Sequence, residues 1–317
     1  MYFLSSEERQ LLLKSLLPAA REQIVANELR GWSWFQEPMA PPYSTIKLAV
    51  YEVASKYCGT ARDLWWRRVK QVKYDPNEAM VEGKLLHAAM SNVISRAKKL
   101  IWTIGIEHPA EIISKLREFD ELAFERDWNR NKVKPALDVV LPKARMIWEY
   151  ETSIIEARLR EALSRQPYAR EDSIVSTAIP LVLEQRLDGS MLGLSKHLSV
   201  DAYQSAEPMI LELKFGTRED FHKIQVAGYA LVAESLYEFP VNLGCIVYPT
   251  FEKDHLAVEK EFFLIDEELR QSFLEQRDER MRMIFEEIDP GLMDECPAIC
   301  PFYNRCYTSE RTGLVLV

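Results

Sequence analysis

The chain has 317 residues, 47% of them apolar and 28% charged, and none of its apolar runs reaches the roughly 18 residues a bilayer span needs. That composition excludes disordered, collagen-like and membrane-spanning classes, and only 11 glycines point to long helices rather than many tight turns. Lys and Arg number 40 against 49 Asp and Glu, a formal net charge of −9; bulk coating of nucleic acid is excluded, a local basic groove is not.

Residues 5–29 read as a helix in which Glu7, Glu8, Arg9 and Lys14 interrupt the leucines, unlike a secretory leader, so a cytoplasmic protein is expected. The segment 31–42, with two Trp and three Pro, follows as an ordered loop. Helices are expected over 46–72, 77–102 and 142–165, the last with Ile147, Tyr150, Ile154 and Ala157 on one face. Beyond them, residues 174–187, 198–203, 209–215, 241–250 and 256–264 are short and β-rich. A helix over 218–238 lies among these strands and another over 266–288 follows them. The reading is an α/β fold in one intertwined unit: a mostly helical region 1–165, a core 166–290 and a cysteine-bearing tail 291–317.

Within the strand 209–215, period-two alternation puts Ile210, Glu212 and Lys214 on one face and Leu211, Leu213 and Phe215 on the other. The second face is expected in the core, with the carboxylate and ammonium side by side opposite it. Asp201 lies eleven residues upstream, so a hairpin turning near Ser205–Pro208 would bring it beside Glu212. Two carboxylates facing one point suit Mg²⁺ or Mn²⁺, which stabilises charge on a phosphate, while a neighbouring Lys orients the attacking water. Taken alone, Glu-x-Lys is more often a solvated strand face, Asp201 at hairpin distance makes the two readings even, and the same pattern recurs at Glu82-Gly83-Lys84, read as a helix start. Gln225 and Tyr229 share a helix face after that strand, and His87 follows Gly83 by one turn.

Five cysteines are present, and Cys296, Cys300 and Cys306 fall within eleven residues. Cys58 is the best fourth thiol, since Cys245 sits in an apolar strand as a small hydrophobe. Four such thiolates bind an iron–sulfur cluster or structural zinc, and disulfides remain an alternative in some archaeal cytosols.

The ordered set Gly83-x-x-x-His87, Asp201, Glu212-x-Lys214 and Gln225-x-x-x-Tyr229 resembles the RecB-type branch of the PD-(D/E)xK nucleases. The resemblance implies a mixed sheet flanked by helices. It implies that His87, Asp201, Glu212 and the Leu213 carbonyl bind a divalent metal, that Lys214 is catalytic, and that Gln225 and Tyr229 line the site. The one-plus-three cysteine pattern is similar to the iron–sulfur staple of the same branch, which implies a cluster, of 4Fe–4S type, on Cys58, Cys296, Cys300 and Cys306. Together the two constellations resemble the CRISPR-associated RecB-like exonucleases, the Cas-four group. The segments Gly31-Trp-Ser-Trp-Phe35 and Tyr57-Cys-Gly-Thr-Ala-Arg-Asp-Leu64 look like its archaeal Csa-one branch. That resemblance implies Mn²⁺- or Mg²⁺-dependent trimming of DNA ends during spacer acquisition, alongside an integrase and its small partner subunit. A non-catalytic DNA- or integrase-binding subunit of that complex is the alternative.

Residues 56–100 carry ten basic and four acidic side chains around Trp65 and Trp66. A single strand gripped by phosphate contacts and stacking is one reading, and an ordinary helix with its tryptophans in the core is the other. Residues 255–295, with 13 acidic against 5 basic, should repel DNA or meet a basic partner.

Overall fold

Apolar side chains recurring every three or four residues build the long helices of the computed structural model, which describes residues 1–204, 208–253, 255–296 and 298–307. In chain order the first helices are α1 (Ser6–Leu11), joined by a π turn to α2 (Leu17–Glu22), then α3 (Val50–Ala54) and α4 (Arg62–Arg68). The helical lobe continues with α5 (Glu78–Ile104), α6 (Pro109–Arg117), α7 (Glu121–Asn129), α8 (Leu137–Arg165) and α9 (Glu171–Ala178). Strands β1 (Val182–Leu187), β2 (Leu198–Gln204) and β3 (Met209–Leu213) precede α10 (Phe221–Tyr237). Then come β4 (Leu243–Glu252), β5 (His255–Leu264), α11 (Glu267–Phe285) and a last turn, α12 (Tyr303–Tyr307).

The five strands lie in the order β1-β2-β3-β4-β5, with every neighbour antiparallel except β3 and β4. A parallel pair needs a crossover, and α10 supplies it. Along β3 and β4 alternate residues enter different cores. Leu211, Leu213, Cys245 and Val247 face a cluster shared with α5, α6, α8 and α9, whereas Ile210, Ile246 and Tyr248 face one shared with α3, α10 and α11. The fold is therefore a mixed five-stranded sheet between two helical layers.

This layering decides between the two readings of β3. The face bearing Glu212 is not solvated: all five residues of the strand are buried, because the second helical layer covers that side. The helix expected over 46–72 is also broken. Leu48 bridges to Leu194, and residues 55–61 form a loop ending at Ala61 in the left-handed conformation, φ 60°. Contacts to the tail outweigh helical preference there: the Thr60 hydroxyl donates to the Gly291 carbonyl and the Gly59 amide to the Met293 sulfur. The strand expected over 174–187 begins only at Val182, since Ile174 and Ala178, one turn apart, pack into the first core as α9. The helix expected over 5–29 ends at Glu22, with Gln23 extended, and turns π-helical over Leu12–Leu16 just before Pro18, which has no amide to donate.

The loop 31–42 is ordered, as the sequence indicates. Arg277, fully buried on α11, donates to the carbonyls of Pro38, Met39 and Ala40, and Gly31 touches α10 so closely that a Cβ would lie 1.9 Å from the Leu231 carbonyl oxygen. Beside it, fully buried Glu234 accepts from Arg30 and from both terminal nitrogens of Arg270, at 2.8 to 2.9 Å, and from the amides of Gly31 and Val241. Removing one member of such a pair strands the others in the core. Glu234→Ala is expected to lower unfolding free energy by about 3–5 kcal/mol in urea titration; a loss below ~1 kcal/mol would show the network to be dispensable.

Candidate functional site

The site forms where β2 parts from β3 beneath α5. Asn77 caps α5 through the Met80 amide, and Leu85, Leu86, Ala89 and Met90 bury its inner face, which fixes His87 toward the sheet. The β2–β3 ladder pairs Gln204 with Met209 through Ala202 with Leu211. One residue further on, the Asp201 carboxylate replaces a ladder partner by accepting from the Leu213 amide at 2.8 Å. The same Asp201 oxygen lies 2.9 Å from His87 Nε2. Lys214 stays in register because its amide donates to the Val247 carbonyl, and its Nζ donates to Glu212 Oε1 at 2.9 Å. His87, Asp201, Glu212, Leu213 and Lys214, 127 positions apart along the chain, thus meet at one place.

Electrostatics are strained there. Glu212 is 4% exposed, and among the described residues its Oε2 has no hydrogen-bond partner. Burial, with the Asp201 charge added, pushes its carboxyl up to about 7, against the opposing pull of Lys214 and His87. Burial alone would discharge Lys214, but Glu212 and Asp201 outweigh it and hold the ammonium above its ordinary range. His87 behaves likewise: desolvation pulls it down, and the Asp201 bond and charge together with Glu212 raise it on balance. Among the described residues, no three His, Cys, Asp or Glu side chains stand as a ready-made metal cage. The donor set nevertheless fits a hard cation: two acidic groups crowd together, one buried oxygen is orphaned, and His87 and Lys214 supply the positive charge.

Gln225 and Tyr229 are buried on the α10 face that covers β3. The Tyr229 phenol is raised well above its ordinary value, first by burial and then by Glu212 and Asp201, which locates it beside the acidic pair. Gly83 is not required by packing, since a Cβ there meets nothing within 4 Å. Two neighbours escaped sequence reasoning. Glu184 on β1 lies across from Asp201, flanked by the pairs Leu183–Ala202 and Gln185–Val200, with φ 47°. Tyr2 is buried, its hydroxyl has no partner among the described residues, and Asp201 and Glu212 act on it. An isolated Glu in a strand and a Tyr near the chain start carry no motif that would have flagged them.

The second constellation gathers as well. Cys58, Cys296, Cys300 and Cys306 line one small cavity with Thr60, Met293 and Phe302. Burial, then the neighbouring Cys300, Cys58 and Cys306, push the Cys296 thiol up to about 12. Four thiols lining one small cavity make a soft donor set, so the residues fit a bound cation or cluster. Cys245 lies apart, fully buried between β3 and β5, as a small hydrophobe.

Neither tryptophan faces an open groove: Trp65 packs with Ala61, Leu64 and Met283, and Trp66 reaches the cysteine cavity. Trp65 is 6% exposed, and the Trp66 indole N–H donates to Cys306 Sγ at 3.3 Å. Part of the basic stretch is also engaged: Arg67 and Arg68 meet Glu52, Arg62 meets Asp289, and Arg96 meets Glu118. A groove of about 370 Å³ opens elsewhere, between α5, α7 and α8, and brings together none of these site residues. Among the described residues no helix is long and apolar enough to cross a membrane.

Fold and site together define an α/β protein whose central strand carries a carboxylate and a lysine beside a second carboxylate and a histidine. The chain belongs to the CRISPR-associated exonuclease Csa1 family, whose model matches residues 1–309. A relative from Saccharolobus solfataricus named CRISPR-associated exonuclease Csa1 is 30% identical over 311 residues, covering 97% of this chain and 100% of the relative. One of the same name from Thermoproteus tenax is 25% identical over 283 residues, covering 89% and 91%.

Proposed function

We propose that the protein is a Mn²⁺- or Mg²⁺-dependent DNA exonuclease with a PD-(D/E)xK core, stapled by an iron–sulfur cluster, that trims DNA ends during acquisition of new CRISPR spacers. The observation that carries this reading is the convergence of His87, Asp201, Glu212 and Lys214 around an unpartnered Glu212 oxygen. His87, Asp201, Glu212 and the Leu213 carbonyl would hold the metal. When bound, it would supply charge to the scissile phosphate and acidify a water ligand. Lys214, kept protonated by its acidic neighbours, orients the attacking water and neutralises charge that builds on the phosphate oxygens. Asp201 fixes His87 and the Leu213 amide through one oxygen, so that β2, β3 and α5 keep their spacing. Gln225 and Tyr229 close the inner wall.

Cys58, Cys296, Cys300 and Cys306 would hold the cluster, whose chemistry here is a crosslink between the loop 55–61 and the tail. One distant cysteine with a terminal trio, unlike the two local pairs that most zinc modules bring, supports this assignment over zinc. A specific observation bears on partners. Arg270, Arg277 and Arg280 turn inward from α11, leaving Glu267, Glu268, Glu275 and Glu279 on its exposed face. That face suits a basic partner, in this reading the integrase or its small subunit, and it also fits the alternative of a non-catalytic subunit.

Cleavage decides between the two. With Mn²⁺ and the cluster intact, wild-type protein is expected to shorten single-stranded and overhanging DNA. Integrase capture that survives Lys214→Ala, from a wild type without cleavage, would establish the binding subunit instead.

A further inference from the structure

We propose that Tyr57 is a stacking platform for an unpaired nucleobase beside Lys214, and that it limits the site to single-stranded or frayed ends. The inference rests on the nuclease reading above and adds to it the residue that selects the substrate's form.

Tyr57 is 65% exposed, yet its ring is held in place. It packs edge-on against Phe221, with centroids 4.9 Å apart and planes at 82°. Phe221, itself 7% exposed, opens α10 and packs on His222 at 4.8 Å, whose Nδ1 lies 3.1 Å from the Tyr248 hydroxyl. On its other side the loop is anchored to the tail through Gly59 and Thr60, with Cys58 in the cysteine cavity. A large aromatic surface left in water, on a loop fixed at both sides, is prepared to receive a flat apolar face.

Its position gives that face a partner. Lys214 donates its amide to the Val247 carbonyl, one residue before the Tyr248 whose hydroxyl meets His222, so the Lys214 end of β3 lies against the same wall of Phe221 and His222 that holds Tyr57. Exposed Lys56 adjoins Tyr57 in the chain, and the Arg218 guanidinium stands 5.0 Å over the Tyr248 ring. An open aromatic ring on the wall that carries the lysine assigned to the scissile phosphate matches a nucleotide whose base is out of its helix. A base stacked within a duplex offers only its edges to a protein side chain. The tryptophans at 65 and 66 cannot take this part, because they line the core and the cysteine cavity.

The test uses the full, cluster-containing chain with Ca²⁺ in place of Mn²⁺, so that binding is read without cleavage, and a single-stranded oligonucleotide labelled for anisotropy. Tyr57→Ala is expected to weaken binding by about 5- to 150-fold, the range for one stacked base. Tyr57→Phe and Tyr57→Trp should stay within about threefold, since either ring supplies the platform. An abasic residue scanned along the oligonucleotide should weaken the wild type at one position and leave Tyr57→Ala unaffected there. With Mn²⁺, Tyr57→Ala should raise KM more than it lowers kcat. Equal binding by wild type and Tyr57→Ala, in a wild type that cleaves, overturns the platform and leaves the nuclease standing. So does a Tyr57→Phe defect as large as that of alanine, which would assign the hydroxyl. If Tyr57→Ala does not fold, the Phe and Trp variants and the abasic scan decide the matter. A wild type that neither binds nor cleaves overturns the nuclease reading itself, and the platform with it.

Discussion

Cys58→Ser is expected to lower the melting temperature by about 10 °C or more and to bleach the visible absorption of anaerobically purified protein. Metal-coupled folding contributes several kcal/mol, and at this chain length each kcal/mol moves the midpoint by roughly 2–4 °C. The substitution is nearly isosteric and removes no other contact of the loop with the tail. Thr60 still bonds Gly291, Arg62 still pairs with Asp289, and Trp66 still reaches Cys306. A large loss therefore reports the ligand rather than the packing. Cys245→Ala, away from the cavity, should keep the colour. An unchanged midpoint and spectrum in Cys58→Ser would remove the cluster from the account, and colourless protein with stoichiometric zinc would replace it.

Glu212→Gln is expected to reduce cleavage by about 100-fold or more, the scale of losing a charged group at a reacting phosphate. The same change should stabilise the metal-free protein at pH 8. The folded carboxyl is raised from the ordinary 4.5 to about 7. A group raised on folding contributes most below its unfolded value, and that contribution is lost as pH climbs through 4.5 to about 7. Glutamine carries no charge to bury, so its advantage appears above this window and fades below it. Melting curves of the EDTA-treated proteins at pH 4 and pH 8 give the comparison. A Gln variant that cleaves like the wild type would sink the assignment of Glu212, and one less stable at pH 8 would show the carboxylate to be structurally required.

The sequence made some parts of this molecule legible and concealed others for physical reasons. Period-two apolar residues marked β3 and β4, and the eleven-residue offset of Asp201 from Glu212 was enough to foresee their meeting, because a hairpin register follows from the turn. The direction of β4 was not so accessible: parallel pairing depends on which edge the α10 crossover returns to. Whether the Glu212 face is solvated stays open in the sequence, because strand alternation identifies two faces but not what covers them. Residues 46–72 looked helical from composition, and the break at 55–61 exists because Gly59 and Thr60 bond a tail more than 230 residues away. The tryptophans suggested stacking, whereas the ring left open beside Lys214 is Tyr57, distinguished by exposure, which no local pattern records. Glu184 needed the β1–β2 register to be seen at all.

The most direct test of the central claim is cleavage of end-labelled single-stranded DNA by EDTA-treated, cluster-containing protein as Mn²⁺ is restored. The wild type should regain shortening products with increasing Mn²⁺, and Asp201→Asn and Lys214→Ala should not, although both retain the wild-type visible spectrum. Cleavage that persists in EDTA, or that returns equally in all three proteins, would contradict a metal-dependent site at the end of β3.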